Sequence, residues 1–315
     1  MKPRLIAVVG PTASGKSDLA VRLCQRLDGE VVSADSVQIY RRFDIGSAKP
    51  TASERAGVPH HLIDAFDALD AVDAARFVQL GRSHISDILA RRKTPVLCGG
   101  TFLWVRALVY GLANAPAADE AIRARHRSEA EQFGRAWLHA RLREIDPESY
   151  ARLAPNDLVR VSRALEVHEL TGTPLSALQA SHGFREADYA VRFVGIRHEP
   201  ALLAARIERR VLEMFERGWL DEVRGLLADG YAEARALRSV GYRQVAEALG
   251  SGRIDRAELT TQVVRATRIF VRRQLTWLRD EPVTWLAPDA VDAFDPNGPE
   301  PARPAERPEG EAPPT

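Results

Sequence analysis

Gly10-Pro11-Thr12-Ala13-Ser14-Gly15-Lys16-Ser17 is the stretch from which the fold of this chain can be read. It follows the pattern G-x-x-x-x-G-K-[ST], in which glycines let backbone N–H groups close around phosphate oxygens. Leu5-Ile6-Ala7-Val8-Val9 precedes it as an unbroken apolar run, the habit of a parallel strand buried on both faces. Leu19, Ala20, Leu23 and Leu27 follow at helical spacing. Strand, loop and helix together are the context the motif requires, and the helix N-terminus adds partial positive charge. Lys16 would reach the outer phosphate and the Ser17 hydroxyl would ligate Mg²⁺. The loop calls for a di- or triphosphate, without saying which one or what is done to it.

Outward from the loop, Glu30-Val31-Val32-Ser33 reads as a second strand delivering Asp35-Ser36-Val37-Gln38-Ile39-Tyr40. Ligands of doubly wound sheets sit beyond the carboxyl ends of the strands, which puts Asp35 near the phosphate loop. By position Asp35 is a candidate site residue, with a turn or helix cap and a Mg²⁺ ligand of the Walker-B kind as its other readings. Asp44-Ile45-Gly46-Ser47-Ala48-Lys49-Pro50 is a loop with Gly and Pro stops. Pro59-His60-His61-Leu62-Ile63-Asp64 looks like a short strand ending in an acid; its histidines suit hydrogen bonding better than metal, since no third ligand clusters with them. Residues 74–91 have the stripe of an amphipathic helix. Pro95-Val96-Leu97-Cys98 is another buried strand, and Gly99-Gly100 after it permits close approach to a ligand. Thr101 then stands either as an N-cap or as a ligand contact.

From about 115 to 190 strand-like runs stop and helical, arginine-rich sequence takes over. Residues 121–163 hold nine arginines and six acids, which fits a solvated face or a nucleic-acid surface. Val191-Arg192-Phe193-Val194-Gly195-Ile196 reads as a strand again, so the helical segment is an insertion between strands of one sheet. Residues 201–228 form one or two amphipathic helices, 258–279 a long one, and Val283–Leu286 a last strand. The expected architecture is α/β: a P-loop NTPase-like parallel sheet flanked by helices, with an inserted all-helical domain. The core comprises 1–114 and 191–288, the insertion 115–190, and a disordered acidic, Pro-rich tail 289–315.

Composition sets outer bounds. A chain of 315 residues, 45% hydrophobic, allows one large domain or two modest ones. No apolar run approaches the ~18 residues of a membrane span, and the chain enters a strand with no signal peptide. Cys24 and Cys98 read as small buried hydrophobes of a reducing compartment. The net charge of +1 hides an asymmetry, because residues 289–315 carry seven acids and two arginines. The rest of the chain is therefore mildly basic, compatible with a nucleic-acid partner. Lysines are scarce beside arginines, and Lys16 and Lys49 fall in motif-like stretches, where a compact ammonium is suited.

Taken together these stretches resemble the bacterial tRNA dimethylallyltransferase (tRNA isopentenyltransferase) family. To those above are added Asn156-Asp157 with Arg160, Arg163-Ala164-Leu165-Glu166-Val167, Val240-Gly241-Tyr242-Arg243-Gln244, and Thr267-Arg268 followed by Arg272-Arg273-Gln274-Leu275-Thr276-Trp277-Leu278-Arg279. They run in family order over residues 5–286. The phosphate loop alone is widely shared; the ordered set is specific.

The resemblance implies transfer of a dimethylallyl group from dimethylallyl diphosphate to N6 of the adenosine 3′ to the anticodon in tRNA, with release of diphosphate. The loop Gly10, Pro11, Thr12, Ala13, Ser14, Gly15, Lys16 and Ser17, with Arg224, would then hold diphosphate rather than ATP, with Mg²⁺ on Ser17. Asp35 matches the family's base, and Thr101 and Lys16 complete the catalytic set. The tRNA would be met by Asp35, Ser36, Val37, Gln38, Thr101, Arg123, the Leu158-Val159-Arg160-Val161-Ser162 turn, and Val240, Gly241, Tyr242 and Arg243. Gln38 offers a donor and an acceptor to flanking bases. A cytoplasmic monomer with no membrane partner is expected. An adenylate isopentenyltransferase, a small-molecule kinase of the same fold class and a nucleotide-dependent switch are the rivals. The arginine-rich insertion favours tRNA over a free nucleotide.

Overall fold

The computed structural model describes residues 2–183, 187–252, 254–296 and 298. The chain divides into two compact units, one of residues 1–109 and 188–315 and one of residues 110–187.

In the first unit, β1 (Arg4–Val9) leads through the phosphate loop into α1 (Lys16–Leu27) and β2 (Gly29–Ala34). A short α2 (Ala52–Arg55), β3 (His60–His61), α3 (Ala74–Ala90), β4 (Thr94–Gly99) and α4 (Phe102–Tyr110) follow. All six strands of the sheet run parallel in the order β3-β2-β4-β1-β5-β6, where β5 is Ala190–Ile196 and β6 Thr284–Leu286. Val8 on the central strand pairs with Cys98 on one side and Val194 on the other, and all three are buried. That is why these strands read as continuous apolar runs. Leu19, Ala20, Leu23 and Cys24 of α1 pack on Ile6, Val8, Val96 and Val194, which orients the phosphate loop over the strand ends.

The second unit holds α5 (Glu120–Phe133), α6 (Arg135–Ala140), α7 (Leu142–Ile145), α8 (Pro147–Arg152), α9 (Leu158–Thr171) and α10 (Leu175–His182). Its core gathers Ala130, Leu138, Leu142, Leu153, Val161, Ala164 and Leu165. The nine arginines of residues 121–163 do not form a free basic face. Arg123 and Arg163 pair with Glu166, Arg125 and Arg141 with Glu129 and Glu169, Arg127 with Glu120, and Arg160 with Asp157. Arg135, Arg143 and Arg152 reach Asn156 O, the Tyr150 hydroxyl and Gln179.

Back in the first unit come α11 (Pro200–Glu216), α12 (Trp219–Ala228), α13 (Tyr242–Gly250) and the long α14 (Arg256–Leu278). The segment after β6 departs from the expected disorder. Val291 and Phe294 are buried in the cluster around α1. Arg26 of α1 donates to the carbonyls of Asp292 and Phe294 at 3.2 and 3.0 Å. Two apolar side chains three residues apart are enough to dock this strip, each contributing about 2 kcal/mol; the Pro- and Glu-rich sequence that follows hid them in the composition. The tail from 299 onward lies outside the described residues. No helix among the described residues is long and apolar enough to cross a membrane.

Candidate active site

The phosphate loop leaves α1 without a side-chain cap. Gly15 adopts φ 91°, a left-handed value that glycine takes at no steric cost, and the helix starts at the next residue. Among the described residues the N–H groups of Gly15, Lys16 and Ser17 donate to nothing, which is the ready state for an anion. The Ser14 hydroxyl is buried with no hydrogen-bond partner. A Cβ on Gly10 would stand 2.7 Å from that hydroxyl and would have to displace it.

Lys16 makes no ion pair among the described residues. Burial, and next the Arg210 guanidinium, push its pKa below the ordinary lysine range. Arg210 is half-buried, and desolvation lowers its pKa too. Among the described residues its guanidinium makes only a long hydrogen bond, 3.5 Å, to Ser47 O. Nearby acids, Asp35 among them, offset the desolvation only in part, and an anion joining the two partly buried cations would relieve the rest. Arg206, one helical turn earlier on α11, donates to Ala13 O at 2.8 Å and braces the loop from behind.

Opposite the loop stands Asp35, at the end of β2. Its Oδ1 accepts the N–H groups of Val37 and Gln38 at 2.9 and 3.1 Å, so the cap reading of this residue is correct for one oxygen. Oδ2 has no partner. Asp35 lines a cavity of about 370 Å³ together with Thr12, Lys16, Ser17, Ser36, Val37, Gln38, Gly100, Thr101 and Arg210. Ile207, Val211, Met214, Val263 and Phe270 give the same cavity an apolar wall, and Val240, Gly241 and Tyr242 close a further side. Thr101 is not a side-chain cap for α4. Its Oγ1 accepts from Ser36 N at 3.1 Å and meets Ser36 Oγ at 3.2 Å, while its own N–H donates to Ala34 O. It stitches the ends of β2 and β4 beside Asp35.

The sequence profile of the family described as "IPP transferase" matches residues 38–281. The chain belongs to the IPP transferase family. It is 60% identical over 283 residues to a tRNA dimethylallyltransferase of Sorangium cellulosum (strain So ce56), covering 90% of each chain. A tRNA dimethylallyltransferase of Anaeromyxobacter sp. (strain Fw109-5) is 49% identical over 295 residues, 93% of this chain and 97% of the relative. The crystal structure of the full-length tRNA isopentenylpyrophosphate transferase from Bacillus halodurans superposes with a TM-score of 0.66 at 38% identity, covering 91% and 90% of the two chains.

Of the other residues expected to meet diphosphate or tRNA in this IPP transferase, several are exposed or already paired. Arg224 is exposed on α12, pairs with Asp221 and does not line the cavity. Arg243 is exposed beside Glu247. In the second unit, Leu158–Ser162 is the first turn of helix α9 rather than a free turn. Val159 and Arg160 are exposed there, but Val161 and Ser162 are buried, and Ser162 Oγ is bonded to His126 Nδ1 at 3.0 Å. Arg123 is committed to the buried Glu166 at 2.9 and 3.0 Å. Lys49 threads its ammonium among Tyr40 O, Asp44 and Asp64, a point charge serving three acceptors. His60 Nδ1 is bonded to Val58 O and His61 Nε2 to Glu30, and no group of three possible metal ligands of the His, Cys, Asp or Glu kind forms among the described residues.

Sequence reasoning passed over Arg206, Arg210 and Gln274. The i, i+4 spacing of Arg206 and Arg210 was a signal, but it was lost in an arginine-rich background. Gln274 stood within a motif and carried no role.

Proposed function

We propose that this chain transfers a dimethylallyl group from dimethylallyl diphosphate to N6 of the adenosine on the 3′ side of the anticodon in tRNA, releasing diphosphate. One observation supports this above the others: Lys16 and Arg210, neither of them in an ion pair among the described residues, share a cavity with Asp35, whose Oδ2 has no hydrogen-bond partner among those residues. As the allylic C–O bond stretches, negative charge grows on the leaving diphosphate. Lys16, Arg210 and the N–H groups of Gly15, Lys16 and Ser17 are set to stabilise it as it forms. The apolar wall of Ile207, Val211, Met214, Val263 and Phe270 suits a prenyl chain and keeps water from its cationic carbon. The adenine amine is a weak nucleophile because its lone pair is delocalised. Asp35 Oδ2 accepts its proton as the new C–N bond forms, and the cap on Oδ1 holds the carboxylate in place. The base would enter extruded from its stack.

Mg²⁺ fits the donor set. The Ser17 hydroxyl is an exposed hard oxygen in the cavity, and the other positions would go to diphosphate oxygens and water, the usual habit of this ion. Bound there it would neutralise developing charge on the diphosphate. We expect a cytoplasmic monomer without a membrane partner.

The test incubates the full chain with dimethylallyl diphosphate and either unmodified tRNA or AMP. Prenylated adenosine in tRNA alone is the expected result. Prenylated AMP would favour the free-nucleotide reading. Thermal protection by ATP, with none by dimethylallyl diphosphate, would favour a kinase or switch.

A further inference from the structure

A second cavity, of about 520 Å³, lies against the phosphate loop and shares no lining residue with the cavity of Asp35. Neighbouring side chains divide the two. Pro11 lines the second cavity and Thr12 the first; Leu275 lines the second and Gln274 the first. On α11, Leu203 faces the second and Ile207, one turn later, the first. Nothing in the chemistry above uses this second space.

Its lining is apolar and basic. Ile196, Leu203, Leu278 and Val283 are buried there, while Leu275 is 36% exposed. Arg197 and Arg279 are exposed at the same cavity and form no ion pair among the described residues. The Arg197 guanidinium lies 5.2 Å from the centre of the Trp285 ring, the one aromatic ring of the lining apart from His198. Glu281 is the one acid, and Arg106 holds its Oε1 at 3.2 Å. His198 Nε2 is 2.8 Å from Ser14 O. A carbonyl only accepts, so that nitrogen carries the proton and ties the cavity to the phosphate loop. His198 Nδ1 is buried without a hydrogen-bond partner. A nucleobase would leave its ring nitrogens and exocyclic groups unpaired against these aliphatic walls. A molecule apolar along its length and acidic at one end matches them, with the acid taken by guanidinium groups.

We propose that this cavity is an effector site for an aliphatic anion, an isoprenoid or acyl chain ending in phosphate or carboxylate. Arg197 and Arg279 hold its head, Leu203, Leu275 and Leu278 its body, and its binding raises the affinity of the phosphate loop for the loop's own ligand. The coupling follows from the helices the two cavities share. Arg206 of α11 braces Ala13 O, and Gln274 of α14 braces the Thr12 N–H. A chain packed between Leu203 and Leu275 steadies both braces. The proposal is independent of the prenylation reading, because a loop holding any di- or triphosphate would be steadied in the same way.

The experiment is calorimetry on the full chain with geranyl phosphate, decyl phosphate and decanoate, beside geraniol and inorganic phosphate. Each is titrated with and without inorganic pyrophosphate and Mg²⁺. An amphipathic anion should bind while pyrophosphate is bound, at least about tenfold more tightly than geraniol or inorganic phosphate. The best of the three separates an isoprenoid from an acyl source. Pyrophosphate should bind about fivefold more tightly once the site is filled, and the anion should gain the same factor from pyrophosphate. Arg197→Ala and Arg279→Ala should each weaken the anion by about tenfold and leave pyrophosphate binding to the otherwise empty protein unchanged. Leu203→Trp, which fills the cavity, should abolish anion binding; should it fold poorly by circular dichroism, the arginine variants decide. Lys16→Ala should lose pyrophosphate and keep the anion. Displacement of the anion by pyrophosphate, or its loss in Lys16→Ala, would put it on the phosphate loop and overturn the proposal. Failure of all three anions to bind, or an unchanged affinity for pyrophosphate, overturns it as well.

Discussion

The side-chain carbonyl of Gln274 accepts the backbone N–H of Thr12 at 2.9 Å, across 262 residues of sequence. Its amide nitrogen donates to Gly100 O at 3.0 Å. One buried amide on α14 therefore ties the phosphate loop to the end of β4, next to Thr101. There is no room for anything else: a Cβ on Gly100 would lie 2.6 Å from that nitrogen. Gln274→Ala leaves a donor and an acceptor unpaired and should cost ~1–3 kcal/mol of stability. The loosened loop should raise the KM for dimethylallyl diphosphate about tenfold while the KM for tRNA moves less. Steady-state kinetics with each substrate varied, beside a thermal melt, check this; an unchanged donor KM contradicts it.

Asp35 divides its labour between its two oxygens, and the two can be separated. Asp35→Asn keeps a carbonyl oxygen for the Val37 and Gln38 amides and removes the base. Its melting temperature should stay within a few degrees of wild type, while kcat falls by about 10²–10⁴. Single-turnover prenylation of tRNA measures the chemical step directly, and wild-type turnover would remove Asp35 as the base.

Arg210 and Arg224 offer a contrast within one set of helices. Arg210 faces the cavity and forms no ion pair among the described residues, whereas Arg224 is half-exposed and paired with Asp221. Arg210→Ala should lower kcat/KM for the donor by at least about a hundredfold. Arg224→Ala should change it by less than about threefold, as surface ion pairs contribute little. The reverse ranking would place the diphosphate elsewhere.

Glu30 sets an acid limit on folding. Its buried carboxyl is hydrogen-bonded to Arg91 first and to His61 as well, and its pKa is lowered from 4.5 to about 2. The folded state thus holds the carboxylate more firmly than the unfolded chain does. This stabilisation is fully present above the unfolded pKa and is lost as pH falls from roughly 5 towards 2; it is on the order of 3 kcal/mol. Glu30→Gln should be less stable at pH 7 and show a flatter loss of stability over that acid window. Urea denaturation at successive pH values provides the comparison.

The sheet was legible because each inner strand is a contiguous apolar run, and the phosphate loop because its glycines and lysine lie within eight residues. Asp35 and Thr101 were placed by a topological rule about strand ends, which needs no knowledge of distant partners. The supports of the site were not legible. Glu222 reaches back 176 to 178 residues to the amides of Asp44, Ile45 and Gly46, and Gln274 reaches 262 to Thr12. A polar residue on an amphipathic helix gives no local sign of which backbone group it will serve. The strip around Val291 and Phe294 was missed because average composition weighs a few anchoring side chains lightly.

Nine guanidinium groups of the helical unit are already spoken for. Each of the nine arginines between residues 121 and 163 bonds a carboxylate, a carbonyl, a hydroxyl or an amide of that same unit. A polyanion approaching this unit finds few bare positive charges, and must break an internal pair for most that it takes. Were this unit to grip RNA, few condensed counter-ions would be expelled on association, and its affinity should fall only gently as ionic strength rises. Discrimination there would be left to shape and to the strength of the pairs that have to open.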